Sequence, residues 1–186
     1  MPRSIEIVLA LVLSLIALPI CLLIAPAVRF SSPGPALYWS RRVGLDEKPF
    51  WMPKFRSMRT DTPDLPKDLL SDPQQWLTGV GAFLRRSSLD ELPQLFSVLK
   101  GNMALVGPRP ALVNQTDLIA ARRVVGANAV RPGITGWAQI NGRDELSNEA
   151  KVEYDRQYRD RRSLIFDMKI LFVTAFYVIR RKDVAH

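Results

Sequence analysis

The sequence predicts a mainly helical α+β protein whose N-terminal segment lies in a membrane. Three observations support this fold class. Residues 7–28 form an apolar run without a charged side chain, and about 20 such residues are enough to cross the core of a bilayer. Two short extended segments flank a polar turn and predict a small β-hairpin. Most of the remaining chain is predicted as short helices, separated by glycines and prolines.

The composition limits the partners and the chemistry that the protein can have. The chain has 186 residues, enough for one domain with a sizeable core. Its net charge of +8 indicates an anionic partner, such as a nucleic acid, a lipid surface or a phosphorylated small molecule. The lone Cys21 excludes an internal disulfide and suits a reducing compartment. The lone histidine, His186, argues against histidine catalysis and zinc binding, so carboxylates, Lys, Arg or Tyr must supply the reactive groups.

Two prolines interrupt the apolar run. Pro19 lies near its middle and Pro26 near its end, and proline removes a backbone donor and kinks a helix. The run can therefore be a straight membrane span, a signal sequence, or a bent hairpin that enters and leaves on one face. Residues 25–27 loosely resemble a signal cleavage site. A buried core helix is the remaining alternative, and the length of the run argues against it.

Positive charge is concentrated after the apolar run. Only Arg3 and Glu6 precede it. The stretch that follows contains Arg29, Arg41, Arg42, Lys48, Lys54, Arg56 and Arg59. By the positive-inside rule, this C-terminal side faces the cytoplasm. We therefore divide the chain into an N-terminal membrane anchor, residues 1–30, and a cytoplasm-facing domain, residues 31–186.

The first half of this domain predicts a hairpin, a loop and a short helix. Residues 36–40 and 50–58 are predicted as the two strands of the hairpin, joined by a turn at 44–49. The polar segment 60–73 contains three prolines and is predicted as a surface loop. Residues 76–86 are predicted as a helix that ends at two arginines.

The second half predicts four helices and one glycine-rich loop. Residues 92–99 have helical spacing, and 117–125 and the charged segment 147–159 are also predicted as helices. The strongly apolar segment 164–179 is either a core helix or one that lies in the membrane interface. Residues 131–143 contain three glycines and two arginines, which predicts a loop whose backbone can approach an anion closely. Purely structural turns are the alternative. Neither a Walker-type nor a Rossmann glycine pattern is present.

An adjacent acid pair, Asp90 and Glu91, is the most informative feature of the sequence. It follows two arginines, and Pro93, which a helix tolerates only in its first turn, predicts a helix start near Asp90. A helix N-terminus favours anions and suits phosphate groups. Two carboxylates there can hold a divalent metal and offer a nucleophile to a phosphoryl group. The alternative is a capping box, in which Ser88 and Glu91 only close the helix end.

Five segments appear in an order that is recognisable. They are residues 54–58, 86–95, 99–103, 106–110 and 131–137. Together they resemble the bacterial sugar transferase family, and more closely its small monotopic phosphoglycosyl transferases. The resemblance extends over residues 7–181. A single motif would carry little weight, whereas five in order after an apolar anchor are specific.

The resemblance implies an enzyme that moves a phospho-sugar from a nucleotide sugar, a UDP-sugar, to polyprenyl (undecaprenyl) phosphate. The products are polyprenyl-diphospho-sugar and UMP, and the reaction begins bacterial glycoconjugate assembly. The family uses the aspartate of its acid pair, here Asp90, as the nucleophile that forms a covalent aspartyl phospho-sugar. The neighbouring acid, here Glu91, is implied as a ligand of Mg²⁺, with Asp90 close to the same ion.

Phosphoryl transfer also requires cationic side chains around the transferred phosphate. The predicted phosphate-binding residues are Lys54, Arg56, Arg86, Arg109, Arg131 and Arg143. Salt bridges or lipid contacts are the alternative, above all for Arg143. Within the glycine-rich loop, the predicted substrate contacts are Gly133, Thr135, Gly136 and Gln139. Asp155 and Asp167 fall where the family carries acids, and a helix cap or an ion pair explains either as simply.

The resemblance further implies a re-entrant anchor, interfacial amphipathic helices and a small hairpin around a cytoplasmic active site. The family breaks its anchor helix at a Ser-Pro pair, and this chain has Leu18-Pro19, so Pro19 remains while the serine is missing. The expected location is the cytoplasmic face of the bacterial inner membrane, with a monotopic topology. The expected partners are a UDP-sugar, polyprenyl phosphate and membrane lipids. The sequence is also consistent with a homo-oligomer.

Two hypotheses from other functional classes compete with the enzyme hypothesis. A basic, membrane-anchored adaptor without chemistry explains the charge and the anchor but leaves the acid pair unexplained. A nucleic-acid-binding module is permitted by the charge. However, neither a helix-turn-helix nor a zinc pattern is present, and we expect no nucleic-acid partner.

Overall fold

A computed structural model describes residues 1–63, 72–142 and 146–180. Within these ranges the fold is α+β and mainly helical, which confirms the predicted fold class. The helices are α1 (Arg3–Ser31), α2 (Gly79–Arg86), α3 (Gln94–Lys100), α4 (Thr116–Val124), α5 (Trp137–Ile140), α6 (Asn148–Arg161) and α7 (Leu164–Arg180). The strands are β1 (Leu37–Val43), β2 (Pro49–Phe55), β3 (Ala104–Val106) and β4 (Gly133–Thr135).

The predicted hairpin is confirmed. Strands β1 and β2 pair antiparallel, with Leu37 opposite Phe55 and Val43 opposite Pro49. A 3₁₀ turn, Leu45–Glu47, joins them. In the first part of β2, Phe50 and Met52 are buried in the core while Trp51 between them is exposed on the outer face.

A second, parallel strand pair was not predicted. Strand β3 pairs with β4, with Ala104 opposite Gly133, so the prediction that 131–143 forms a loop is wrong for β4 and α5. The glycines permit this arrangement because two backbones meet here. A Cβ atom on Gly133 would lie 2.1 Å from the backbone nitrogen of Gly107. A Cβ atom on Gly136 would lie 2.1 Å from the carbonyl oxygen of Gly107.

Helix α1 is continuous through Pro19 and Pro26. By length and composition it is able to cross a membrane, and only 17% of its apolar 18-residue stretch is buried. Leu15, Leu22 and Leu23 are among its exposed side chains. These features support association with a membrane. The re-entrant bend at Pro19 stays a prediction.

Both ends of α1 contact the rest of the protein. Near its start, Arg3 donates to the carbonyl of Val98, and a Glu6 carboxylate oxygen accepts a hydrogen bond from the Leu105 amide at 2.8 Å. At its other end, Arg56 donates to the carbonyl of Ser32 at 2.8 Å. Because the two ends are tied to one body, α1 lies along the domain instead of projecting from it.

The remaining helices follow the predictions with shifted ends. Predicted 117–125, 147–159 and 164–179 correspond to α4, α6 and α7, and the C-terminal part of 76–86 corresponds to α2. Ser147 caps α6, because its hydroxyl accepts a hydrogen bond from the Ala150 amide. Part of the predicted loop 60–73 lies outside the described residues.

The main core joins the helices to the anchor. Three fully buried side chains cluster with Ala10 of α1. They are Val98 of α3, Met103 just before β3, and Ile170 of α7. Truncating a side chain such as Ile170 to alanine would cost about 2–5 kcal/mol. Helix α7 also leaves large apolar side chains such as Phe172 exposed, and its location in the membrane interface stays a prediction.

Candidate active site

The acid pair lies in a single 3₁₀ turn, Leu89–Glu91, between α2 and α3. The preceding Ser88 adopts a left-handed conformation with φ of 57°, and its side chain caps no backbone amide. The capping-box alternative is therefore wrong. Helix α3 begins at Gln94, so the prediction of a helix start near Asp90 is corrected by one turn. The tight turn projects two adjacent carboxylates from one short segment.

Asp90 is buried, with 7% of its surface exposed. Burial raises the pKa of its carboxyl to about 6, and the charge of Glu91 adds to this effect. The positive charges of Lys54, Arg85 and Arg109 oppose it. Asp90 therefore loses its proton just below neutral pH. A carboxylate with such a pKa is a suitable nucleophile, because it is ionised at pH 7 but poorly solvated.

Glu91 forms ion pairs with side chains from two other segments of the chain. Its Oε1 atom lies 2.7 Å from Nζ of Lys54, which β2 carries, and 3.5 Å from Nη1 of Arg109, which follows β3. Burial lowers the pKa of Lys54, whereas the charges of Glu91 and Asp90 raise it. The site thus gathers two carboxylates and two cations from three distant parts of the sequence.

A further arginine of the site is Arg85, which sequence reasoning missed. Its positive charge lowers the pKa of Asp90. The guanidinium is held in place because its Nε atom donates to the hydroxyl of Ser57 at 2.9 Å and a second nitrogen contacts the sulfur of Met58. The predicted Arg86 is exposed at the end of α2. The adjacent arginines gave no local signal that could distinguish them.

The other predicted cations lie elsewhere or outside the described residues. Arg56 is buried and donates to the carbonyls of Val28, Pro33 and Ser32, so it holds the end of α1. Arg131 lines a small, partly open pocket of about 50 Å³, whose other polar lining residues include Glu6, Tyr158 and Asp167. Arg143 lies outside the described residues. Phosphate binding by these three arginines stays a prediction.

The predicted substrate contacts near β4 have structural partners. The hydroxyl of Thr135 lies 2.7 Å from that of Thr174 on α7. The amide nitrogen of Gln139 donates to the carbonyl of Ile134 at 2.9 Å, and its buried Oε1 has no partner among the described residues. Gly133 and Gly136 contact the backbone of Gly107, as described above. Substrate binding by this segment stays a prediction.

The donor set of the site suits Mg²⁺ only together with a substrate. Asp90 and Glu91 supply carboxylate oxygens, which Mg²⁺ prefers. Among the described residues, no group of three or more Asp, Glu, His or Cys side chains is placed to hold a metal ion. Mg²⁺ characteristically uses one or two carboxylates and completes its shell with phosphate oxygens and water. The two acids fit that pattern.

The two acids with open roles both have buried partners. Asp155 accepts hydrogen bonds from Arg122 at 2.8 Å and is 1% exposed. Asp167 accepts a hydrogen bond from the Tyr158 hydroxyl at 2.8 Å and pairs with the amino group of Met1. Each of the two acids therefore makes a buried ion pair. The sequence predicts Arg122 only as part of the helix 117–125 and gives no sign of this contact.

Comparison with known proteins identifies the family. Residues 1–181 match the model of the family described as bacterial sugar transferase. The chain is 44% identical to the UDP-glucose:undecaprenyl-phosphate glucose-1-phosphate transferase of Escherichia coli (strain K12), over 94% of the chain and 39% of that relative. The chain therefore spans about two fifths of the length of this relative.

Two relatives of more similar length also match. The uncharacterized sugar transferase EpsL of Bacillus subtilis is 45% identical over 82% of the chain and 74% of its own length. The exopolysaccharide production protein ExoY of Rhizobium meliloti is 37% identical over 92% of the chain and 82% of its own length. These matches confirm the resemblance of the five motifs, and the protein belongs to the bacterial sugar transferase family.

Proposed function

We propose that the protein transfers a sugar 1-phosphate from a UDP-sugar to undecaprenyl phosphate and releases UMP. The observation that carries this proposal is the buried Asp90, whose pKa is raised and which lies beside Glu91, Lys54 and Arg109. The name of the Escherichia coli relative describes transfer of glucose 1-phosphate from UDP-glucose to undecaprenyl phosphate. The arrangement of charges suits the same chemistry in this chain.

The reaction proceeds in two displacements. A carboxylate oxygen of Asp90 attacks the phosphorus that carries the sugar, and the bond from that phosphorus to the oxygen of UMP breaks. UMP leaves, and the sugar phosphate is covalently bound to Asp90. A phosphate oxygen of undecaprenyl phosphate then attacks the same phosphorus. This step releases the Asp90 carboxylate and yields undecaprenyl-diphospho-sugar, so one hard displacement is divided into two easier ones.

The neighbouring side chains stabilise charge on the phosphates. Lys54 and Arg109 place positive charge beside the acid pair, where negative charge of the transferred phosphoryl group accumulates. Arg85 favours the ionised form of Asp90. Mg²⁺, when held by Glu91 and by Asp90, would neutralise charge on the diphosphate. Glu91 must then divide its oxygens between the ion and Lys54.

We also propose that the enzyme is monotopic on the cytoplasmic face of the bacterial inner membrane. The attachment of both ends of α1 to one body supports this topology, because a helix that crossed the bilayer would place its ends on opposite sides. The basic residues after the apolar run support the cytoplasmic face.

Intact-protein mass spectrometry tests the nucleophile. With a panel of UDP-sugars, Mg²⁺ and no lipid acceptor, the protein should gain the mass of one phospho-sugar with the correct donor, and UMP should appear in equal amount. The Asp90→Asn variant should gain nothing, whereas Asp117→Asn, on the exposed first turn of α4, should behave as the wild type. A protein that forms no adduct and releases no UMP with any donor would match the non-catalytic adaptor instead.

A further inference from the structure

The loop that carries Arg109 is held through its backbone. Its carbonyl groups, from residue 108 to residue 111, accept hydrogen bonds from four separate donors. These donors are the Gly133 amide at 2.9 Å, Arg122 at 2.9 Å, Arg42 at 3.2 Å and the Val43 amide at 2.9 Å. Pro108 and Pro110 restrict the chain on both sides of Arg109. The orientation of this loop is therefore set by its carbonyl contacts.

Arg122 contributes the contact at the central residue. Its Nη1 atom donates to the Arg109 carbonyl. Its Nε and Nη2 atoms lie 2.8 and 2.7 Å from Oδ2 of Asp155. Both side chains are buried, with 6% of Arg122 and 1% of Asp155 exposed. One guanidinium thus connects a buried carboxylate on α6 to the backbone of the active-site loop.

The cost of this ion pair makes a purely structural role a poor explanation. Burial of two charges is expensive, and apolar side chains of similar volume often stabilise a fold at least as well. Burial raises the pKa of Asp155, and only the charge and hydrogen bonds of Arg122 and a contribution from Lys151 oppose this effect. An apolar pair could join α4 to α6, but it could not donate a hydrogen bond to the Arg109 carbonyl.

We propose that Arg122 and Asp155 form a positioning pair for the transfer reaction, which fixes the Arg109 guanidinium beside Glu91 by holding the Arg109 carbonyl. This inference rests on the proposed function. The Arg109 side chain is 42% exposed, so packing alone does not hold it. Its placement depends on the backbone from which it extends, and Asp155 orients the guanidinium that fixes that backbone.

The first test replaces the planar guanidinium group of Arg122 by another positively charged group. Arg122→Lys retains a cation for Asp155, but one ammonium cannot reproduce the rigid, planar set of donors that reaches both partners. Misplacement of a binding group by about 1 Å can cost a hundredfold in rate, so kcat/KM for the UDP-sugar should fall roughly ten- to a hundredfold. Arg123→Lys is the matched control, because Arg123 is the next residue of α4 and its side chain, paired with Glu47, is 65% exposed. It should leave kcat/KM unchanged.

A double-mutant cycle separates positioning from stability. In an Arg109→Ala background, Arg122→Lys should cause no further fall in kcat/KM, because it acts through the side chain that has been removed. Equal falls with and without the Arg109 side chain would overturn the positioning role. All rates are expressed per folded molecule, with the folded fraction taken from thermal unfolding.

A second variant protects the test against misfolding. Asp155→Asn keeps Arg122 and removes the charge that orients it, and it should show the same loss of additivity with Arg109→Ala. If the wild type is active and the effects of the variants on kcat/KM simply add, the positioning role is rejected and the proposed function is not affected. A wild type that consumes no UDP-sugar would reject the proposed function itself, so the two failures can be told apart.

Discussion

Asp90→Asn should inactivate the protein and also make its fold more stable at neutral and alkaline pH. The ionised carboxylate of Asp90 is buried, and burial is the main cause of its raised pKa. Asparagine has a similar shape and no charge to desolvate. The substitution therefore removes the nucleophile and the cost of keeping it ionised, which is the expected trade-off between stability and activity at a reactive site.

The sign and size of this effect follow from the two pKa values. The folded-state pKa of Asp90 is about 6, against an ordinary value of 3.8. Because the folded state binds the proton more tightly, the free energy of unfolding of the wild type falls as pH rises through this window. The full cost, up to about 3 kcal/mol, is present above pH 6 and is absent below 3.8. At pH 5 the advantage of Asp90→Asn should be about half as large.

Thermal unfolding in detergent at pH 5 and pH 8 measures the effect. In a chain of this length, roughly 3 kcal/mol corresponds to a rise of about 6–12 °C in Tm. Asp117→Asn is the control, because this exposed acid in the first turn of α4 favours its helix; its removal should lower Tm slightly. An Asp90→Asn protein that melts below the wild type at pH 8, or whose advantage does not depend on pH, would refute the argument from burial.

Three further outcomes are expected. Lys54→Met removes a charge that lowers the pKa of Asp90, so the acid limb of the profile of kcat/KM against pH should move to higher pH; an unmoved limb would mean that Asp90 does not titrate in it. Arg56→Met removes the donor to the end of α1 and should lower Tm, because buried carbonyls lose their partner at a cost of about 1–3 kcal/mol; a Tm equal to that of the wild type would contradict this. A cysteine placed by Ser4→Cys, with Cys21 replaced, should resist a membrane-impermeant thiol reagent in intact cells, and labelling from outside would show a true span.

Several local features were predictable because neighbouring residues determine them. The hairpin follows from two extended segments around a polar turn. The start of α6 follows from the capping hydroxyl of Ser147. The acid pair stands out because two adjacent carboxylates follow two arginines, and the five motifs in order gave it a catalytic role. For the hairpin and the start of α6, the physical cause lies within a few residues of its effect.

Other features depend on contacts that local patterns do not contain. Arg85 and Arg86 both lie in the last turn of α2, and the docking of that helix decides which faces Asp90. Gly81 permits the docking, since a Cβ atom there would lie 1.9 Å from the carbonyl oxygen of Ser57. The strands β3 and β4 are three residues long, too short to show alternation.

The role of Arg56 has a consequence for where the chemistry takes place. Lys54 near the end of β2 contacts Glu91. Arg56, two residues later, donates hydrogen bonds to the end of α1. Extended chain advances about 3.3 Å per residue, so only about 7 Å of backbone separate the two contacts. On the proposed monotopic topology, this short spacer would set the height of the reacting phosphorus above the lipid surface. An acceptor whose phosphate protrudes from the bilayer can meet that height without leaving its leaflet, whereas one inserted residue between Lys54 and Arg56 would change the height and turn one of the two side chains away.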